Sequence, residues 1–338
     1  MKRLTFIFIA IAITTQMLAG QNAQQPLSEN LESLLKGAMF TIVEQKNIPD
    51  SIAVRLRTSV DCIDKDKLDA CSDSIKYYYY LLSAISCDLQ ISERLDLVDK
   101  AINMRENIIG INDIEYPFCI FIKEIFLKAS QAPADERIKL LENAFVVCSN
   151  GAYIYNSVEM FESAQHLNSS FLISLTELYE QQGYYKATLW IYLKYFTSLI
   201  MGNEALIDNE EPISILRKSF TLLPNVDDKK AVNQYFDQLM QLLNDFNLTN
   251  SKLFNLIYGE LVYFNGPSDE SIIALGRVRD WLKIHNQYDI DLGDIYSKLY
   301  KSYKELGYDN KAEALIPEMR SYFETINKVE IYESIINE

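Results

Sequence analysis

Histidine is almost absent from this chain: only His166 and His285 occur among its 338 residues. That scarcity leaves little material for general acid–base work by imidazole. No Gly-x-Ser-x-Gly, phosphate loop, His-Glu-x-x-His or Cys-x-x-Cys stands anywhere in the chain. Nothing in the sequence therefore points to a catalytic centre, a cofactor or a metal, and the expectation is a protein that is not an enzyme. Basic residues are also short, 32 against 47 acidic ones, for a net charge of −15. Nucleic-acid binding depends on neutralising phosphates with Lys and Arg, so this balance argues against a nucleic-acid partner. Proline and glycine number only 8 and 11, and β-type alternation is scarce, which predicts an all-helical chain. Beyond the N-terminus no run reaches the roughly 18 apolar residues that a spanning helix needs.

Residues with some chemical promise read more simply as structure. Glu162 and His166 lie one helical turn apart, the spacing of a surface pair. His285 closes a helix, where a cation suits the dipole. Asp61, Asp64 and Asp66 carry the charge of a calcium loop without its glycine or distal Glu. Asp289, Asp291 and Asp294 precede a helix, where Asp normally caps, and at either cluster solvated carboxylates are expected over a weak cation site. Five cysteines occur. Cys71 and Cys87 would be about 24 Å apart on one continuous helix, too far to bond. Cys119 and Cys148 sit level in an antiparallel hairpin turning at Pro133, so either a bridge or two buried thiols fits.

What the chain does have is an apolar content of 49%, with 22 Tyr and 16 Phe. Lys2 and Arg3 precede the apolar run Leu4–Ile13, and Leu18-Ala19-Gly20 offers small residues for cleavage. Residues 1–20 are read as a secretory signal peptide, without an anchoring Cys at position 21. Its removal would take the net charge from −15 to −17. The expectation is an exported protein, periplasmic or extracellular, with no integral membrane segment after cleavage. Residues 21–30 read as a loose polar leader, 31–200 as an N-terminal helical-repeat part and 212–338 as a C-terminal one. The 201–211 stretch is the expected loop between them. Tyr77–Tyr80 spread over about 300° of a helix, so at least one of them should face solvent or a ligand.

Two stretches share one design. Tyr296, Leu299, Tyr300 and Tyr303 form a helical stripe, Gly307 supplies a left-handed stop, and Asp309 can cap the next helix before Ala312 and Leu315. Earlier, Leu172, Leu175, Thr176 and Tyr179 precede Gly183, then Tyr185, Thr188 and Tyr192. A hairpin of this kind cannot bury its own stripe and needs stacked neighbours. The order resembles the tetratricopeptide repeat. The resemblance implies right-handed stacked helical hairpins, an α-solenoid, with the clearer copies at Leu172–Tyr195 and within 292–325. Thr176 and Thr188 stand at the family's small positions in the first copy. In the second, Tyr300 replaces a small residue, Asp309 replaces a Tyr, and Pro317 should kink or end the second helix. Tyr179 and Tyr303 are 124 residues apart, which is not a whole number of repeats of about 34 residues.

That resemblance implies a protein or peptide partner, held on a curved surface made by the first helices of successive hairpins. The family's clamp for acidic C-termini needs basic residues that this chain hardly supplies. A second reading, a glycan-binding accessory of an envelope uptake system, draws on tyrosine as a stacking surface and on a looser likeness to helical starch-binding proteins of the bacterial outer membrane. The sequence assigns no binding face.

Overall fold

The computed structural model describes residues 24–86, 88–111, 114–151, 158–285 and 289–337. Among them the chain is all-α, and no strand occurs. The expected signal peptide and its cleavage point lie outside the described residues. The chain divides into two compact units, Met1–Tyr184 and Tyr185–Glu338. The division therefore falls within the predicted Leu172–Tyr195 hairpin and not in 201–211. That stretch is largely helical, ending one helix at Asn203, turning through Glu204–Leu206 and opening the next at Glu210.

The described helices of the first unit are α1 (Gln24–Gln45), α2 (Asp50–Val60), α3 (Asp73–Ser86), α4 (Ile91–Met104), α5 (Glu115–Ala129), α6 (Ala134–Gly151) and α7 (Val158–Gln181). Successive helices pack side by side, and α1 also reaches α3 and α7. Of the expected leader, residues 24–30 belong to α1. Leu27 and Leu31 are buried on α1 with Leu35 and Ile42, and burying such side chains contributes roughly 1.5–3 kcal/mol each. After α2 comes a 3₁₀ turn, Lys65–Ala70, where Asp64 Oδ1 accepts from Asp66 N. The helix that carries Tyr77–Tyr80 begins at Asp73. Helix α7 runs unbroken past His166 and Asn168. No Gly or Pro interrupts it there, and Ser149 Oγ donates to Asn168 Oδ1 across 3.3 Å to tie α6 to α7.

In the second unit the helices are α8 (Tyr185–Asn203), α9 (Glu210–Leu222), α10 (Lys229–Asp245), α11 (Lys252–Phe264), α12 (Asp269–Ile284), α13 (Ile290–Glu305), α14 (Asp309–Thr325) and α15 (Val329–Asn337). Polar caps start several of them: Asp228 accepts from Ala231 N, Ser251 from Phe254 N, and Ser268 exchanges bonds with Ser271 in a capping box. The α13–α14 hairpin follows the sequence reading. Gly307 has φ 74°, and Tyr308 N donates to Tyr303 O at 2.8 Å, which stops α13. Asp309, expected as a cap, instead opens α14 and pairs with Lys304. Pro317 does not end α14, which continues to Thr325. It lies on the exposed face with Glu313, so the carbonyl four residues back, whose partner a proline removes, is left toward water. Ala312, Leu315, Met319 and Phe323 meanwhile hold the opposite face in the core.

Two glycines mark close helix approaches in this unit. A Cβ at Gly293 of α13 would meet the Phe323 ring at 3.0 Å, and one at Gly259 of α11 would meet Ile295 Cδ1 at 3.0 Å. Helix α11 touches α9 on one side and α13 on the other, while α12 and α14 pack behind. The first helices of three consecutive hairpins therefore stand side by side.

Candidate functional site

The surface made by α9, α11 and α13 carries two adjoining cavities. One, of ≈ 360 Å³, is lined among others by Arg217, Thr221, Leu256, Ile290, Asp294 and Lys298. The other, of ≈ 310 Å³, is lined by Leu223, Pro224, Tyr263, Phe264, Pro267 and Glu305. Phe220 of α9 and Glu260 of α11 belong to both. The floor is apolar, and charge is concentrated on α13 and its neighbours.

Most of that charge is internally matched. Arg217 Nε and Nη2 donate to the two oxygens of Asp291 at 2.6 and 2.7 Å, and Nη1 donates to Glu210 at 2.7 Å. Lys252 Nζ lies 2.8 Å from Asp291 and also bonds Asp289. Burial alone would raise the Asp291 pKa, but Arg217 and Lys252 outweigh it and hold the carboxyl below its usual range. Lys298 is buried between Glu260 and Asp294 and donates to both. Desolvation pulls its pKa down, yet Asp294 and Glu260 keep the ammonium above its ordinary value. Burial pushes Glu260 up, against the pull of Lys298. Asp289 caps α13 through a 3.1 Å bond from Asp291 N, as its place before a helix implies. Asp291, read from the sequence as solvated, is instead buried and ties α13 to α9 and α11, while Asp294 stays exposed and closes a salt bridge along α13.

A second charged centre lies inside the first unit. Arg105 and Glu115 pair across 3.3 Å with both side chains about 95% buried. Tyr78 OH donates to Glu115 Oε1 at 3.2 Å, and the Arg105 guanidinium sits 4.9 Å from the Tyr77 ring centre. Tyr77 OH and Cys119 Sγ are 3.4 Å apart. Burial raises the Tyr77 and Tyr78 phenols well above their usual range. Of Tyr77–Tyr80 the first three are buried, and Tyr80 alone is half-exposed, with Lys100 Nζ 5.9 Å from its ring centre. Tyr77 and Tyr78 are thus spent on the buried ion pair, while Tyr79 packs edge-on against Tyr80.

The remaining candidates fall apart from one another. Asp64 pairs with Lys67, and among the described residues no group of His, Cys, Asp or Glu is placed to hold a metal ion. Cys62, Cys71, Cys119 and Cys148 are free thiols, so Cys119 and Cys148 are not bridged, while Cys87 lies outside the described residues. Cys148 is buried, which raises its thiol pKa far above the ordinary value. His166 is half-buried, and the side chain of Glu162 lies outside the described residues. His285 caps α12, its Nδ1 2.9 Å from Trp281 O and its ring stacked on the indole. The sequence reading missed Arg217, Lys252, Glu260 and Lys298. The one available signal was a charge next to a buried leucine, as Arg217 follows Leu216, Lys252 precedes Leu253 and Lys298 precedes Leu299.

No protein-family model matches the chain, and no curated protein sequence matches it. Among solved structures, the crystal structure of BtubC (BKLC) from P. vanneervenii is similar at 13% identity and a TM-score of 0.41, covering 71% of this chain and 93% of that one. A similarity at that level assigns neither family nor function.

Proposed function

We propose that this chain is a non-catalytic helical-repeat scaffold that binds a protein or peptide partner on the α9–α11–α13 surface. The second unit is taken as right-handed stacked hairpins of the tetratricopeptide kind, and the protein as one that works after export. The observation that carries the reading is the side-by-side placement of three first helices over two adjoining cavities that share Phe220 and Glu260. An extended peptide can bury apolar side chains against such a floor while its backbone meets the polar rim. The ion pairs across the surface support this use. They hold the three helices in register before anything binds, which lowers the ordering cost of association.

Selection of a random twelve-residue peptide library against the full chain tests the proposal. Thr221 is exposed and lines the larger cavity, so Thr221→Trp fills the surface without disturbing the core. Selected peptides should lose at least about tenfold in affinity for that variant, roughly 1.4 kcal/mol. Peptides that bind the variant and the parent equally, or a library that yields no binder, would overturn it.

A further inference from the structure

The smaller cavity differs in kind from the larger one. Its lining holds two carboxylates, Glu260 and Glu305, three aromatic rings, Phe220, Tyr263 and Phe264, and no basic side chain. Phe220 and Phe264 are backed by fully buried Phe236, whose centre lies 6.2 Å from the first and 6.3 Å from the second. Aromatic faces carry negative potential, so rings and carboxylates together favour a cation, and the more so where water is partly excluded. The Tyr263 ring already has a cation near it, since Lys298 Nζ stands 5.6 Å from its centre. That lysine is committed to Glu260 and Asp294, and Lys301, the other base within electrostatic reach of Tyr263, lies outside the lining. A volume of ≈ 310 Å³ accommodates one long side chain and not a whole folded element.

We infer that this cavity takes the cationic side chain of an arginine or lysine on the bound polypeptide, with neighbouring apolar residues of that polypeptide lying along the larger cavity. The inference rests on the peptide-binding reading and adds the chemistry of the ligand. Charge complementarity argues for it at both scales. The two linings together hold the acids Glu260, Asp291, Asp294 and Glu305 against Arg217 and Lys298, and the whole chain carries −15. A planar guanidinium suits the site best, because it can stack on a ring while donating to a carboxylate.

The test uses the full chain and a blocked hexapeptide of alternating leucine and arginine, beside a twin with citrulline in place of arginine. Citrulline keeps the shape and removes the charge. By calorimetric titration the arginine peptide should bind saturably, and the twin about tenfold more weakly. Glu305 is exposed, so Glu305→Gln should leave the fold intact and weaken the arginine peptide about threefold to tenfold without affecting the twin. Tyr263→Leu should weaken it similarly. Equal binding of the two peptides, or indifference to both substitutions, overturns the inference. Should Thr221→Trp still abolish binding in that case, the peptide-binding surface stands and only the cation site falls. Binding that ignores Thr221→Trp as well would reflect net charge alone and would overturn both, as would no binding by these or any library peptide.

Discussion

Arg217 of α9 grips Asp291 of α13 through two parallel bonds of 2.6 and 2.7 Å, 74 residues away along the chain. Asp291 is buried, and Lys252 of α11 adds a third contact at 2.8 Å. One carboxylate therefore fastens all three first helices of the proposed binding surface. Removing it leaves the Lys252 ammonium, whose side chain is only 7% exposed, with Asp289 as its remaining partner. Breaking a buried pair from one side typically costs about 3–5 kcal/mol. Asp291→Ala should fall in or near that range by urea denaturation, since burial here is deep but Arg217 is partly open to water. Glu330→Ala, at an exposed position on α15, should lie within about 0.5 kcal/mol of the parent.

The same carboxylate sets a pH dependence. Its folded pKa lies below the ordinary value near about 3.9, so its contribution is complete above that value and disappears as pH falls through the folded one. Glu260 and Glu124 act in the opposite sense. Burial raises both against Lys298 and Arg137, so each disfavours the folded state when ionised and favours it on taking up a proton above about pH 4.3. The stability deficit of Asp291→Asn should accordingly stay constant between pH 7 and pH 5 and shrink below about pH 4. A deficit that shrinks already between pH 7 and pH 5 would mean that Asp291 is not held ionised by Arg217 and Lys252.

Glycines of α12 and α13 should respond oppositely to the same added methyl. At Gly293 the new Cβ would press on the Phe323 ring at 3.0 Å and on Tyr322 at 3.2 Å, both packed in the core. At Gly276 it would meet nothing within 4 Å. Gly293→Ala should cost about 1–3 kcal/mol through overpacking. Gly276→Ala should gain about 0.5–1 kcal/mol from helix propensity and a less flexible unfolded chain. Thermal melts of the two variants against the parent decide it, and a loss at Gly276 would show that its surroundings are tighter than open space.

How much of this was legible beforehand depended on the range of the interaction. Tyr296, Leu299, Ala312 and Leu315 declare themselves by spacing, because a helix face is a local pattern. Gly307 is legible too, since a left-handed stop is a property of one residue. Arg217 and Asp291 are not, because an ion pair spanning three helices leaves no periodic trace. Charge at Asp291 reads as solvated on the usual statistics of burial, and three packed first helices reverse that reading. Pro317 misled, since a proline on a solvent face interrupts only one bond that water can replace.

At Gly183 the turn itself can be tested without any packing effect. The residue has φ 75°, and an added Cβ would meet no heavy atom within 4 Å. Tyr184 N donates to Tyr179 O at 2.8 Å across it, closing the end of α7. Strain in Gly183→Val is then purely conformational, and it should exceed about 1 kcal/mol. Gly183→Asn should cost less, because Asn tolerates the left-handed region, as Asn247 and Asn327 do at the ends of α10 and α14. Equal melting of the Val variant and the parent would show that α7 ends differently.

The packing of α13 on α14 supplies the last prediction. Ala312 is 1% exposed and sits on the buried face of α14 with Leu315 and Met319. Lys311, one residue earlier, is exposed and carries its ammonium 4.4 Å from the centre of the Tyr308 ring. Ala312→Leu adds three carbons where two helices already touch, and overpacking of that kind costs about 1–3 kcal/mol. Lys311→Leu forfeits a surface cation–ring contact worth about 0.5–1 kcal/mol and recovers part of it through apolar contact with the same ring. Melting temperatures should therefore fall clearly for Ala312→Leu and little for Lys311→Leu. A fragile C-terminus would suffer from both changes, so the contrast isolates the helix face. Equal losses, or a larger one for Lys311→Leu, would mean that α14 presents a different face to α13, and the hairpin likeness to the tetratricopeptide repeat would lose its mechanical basis.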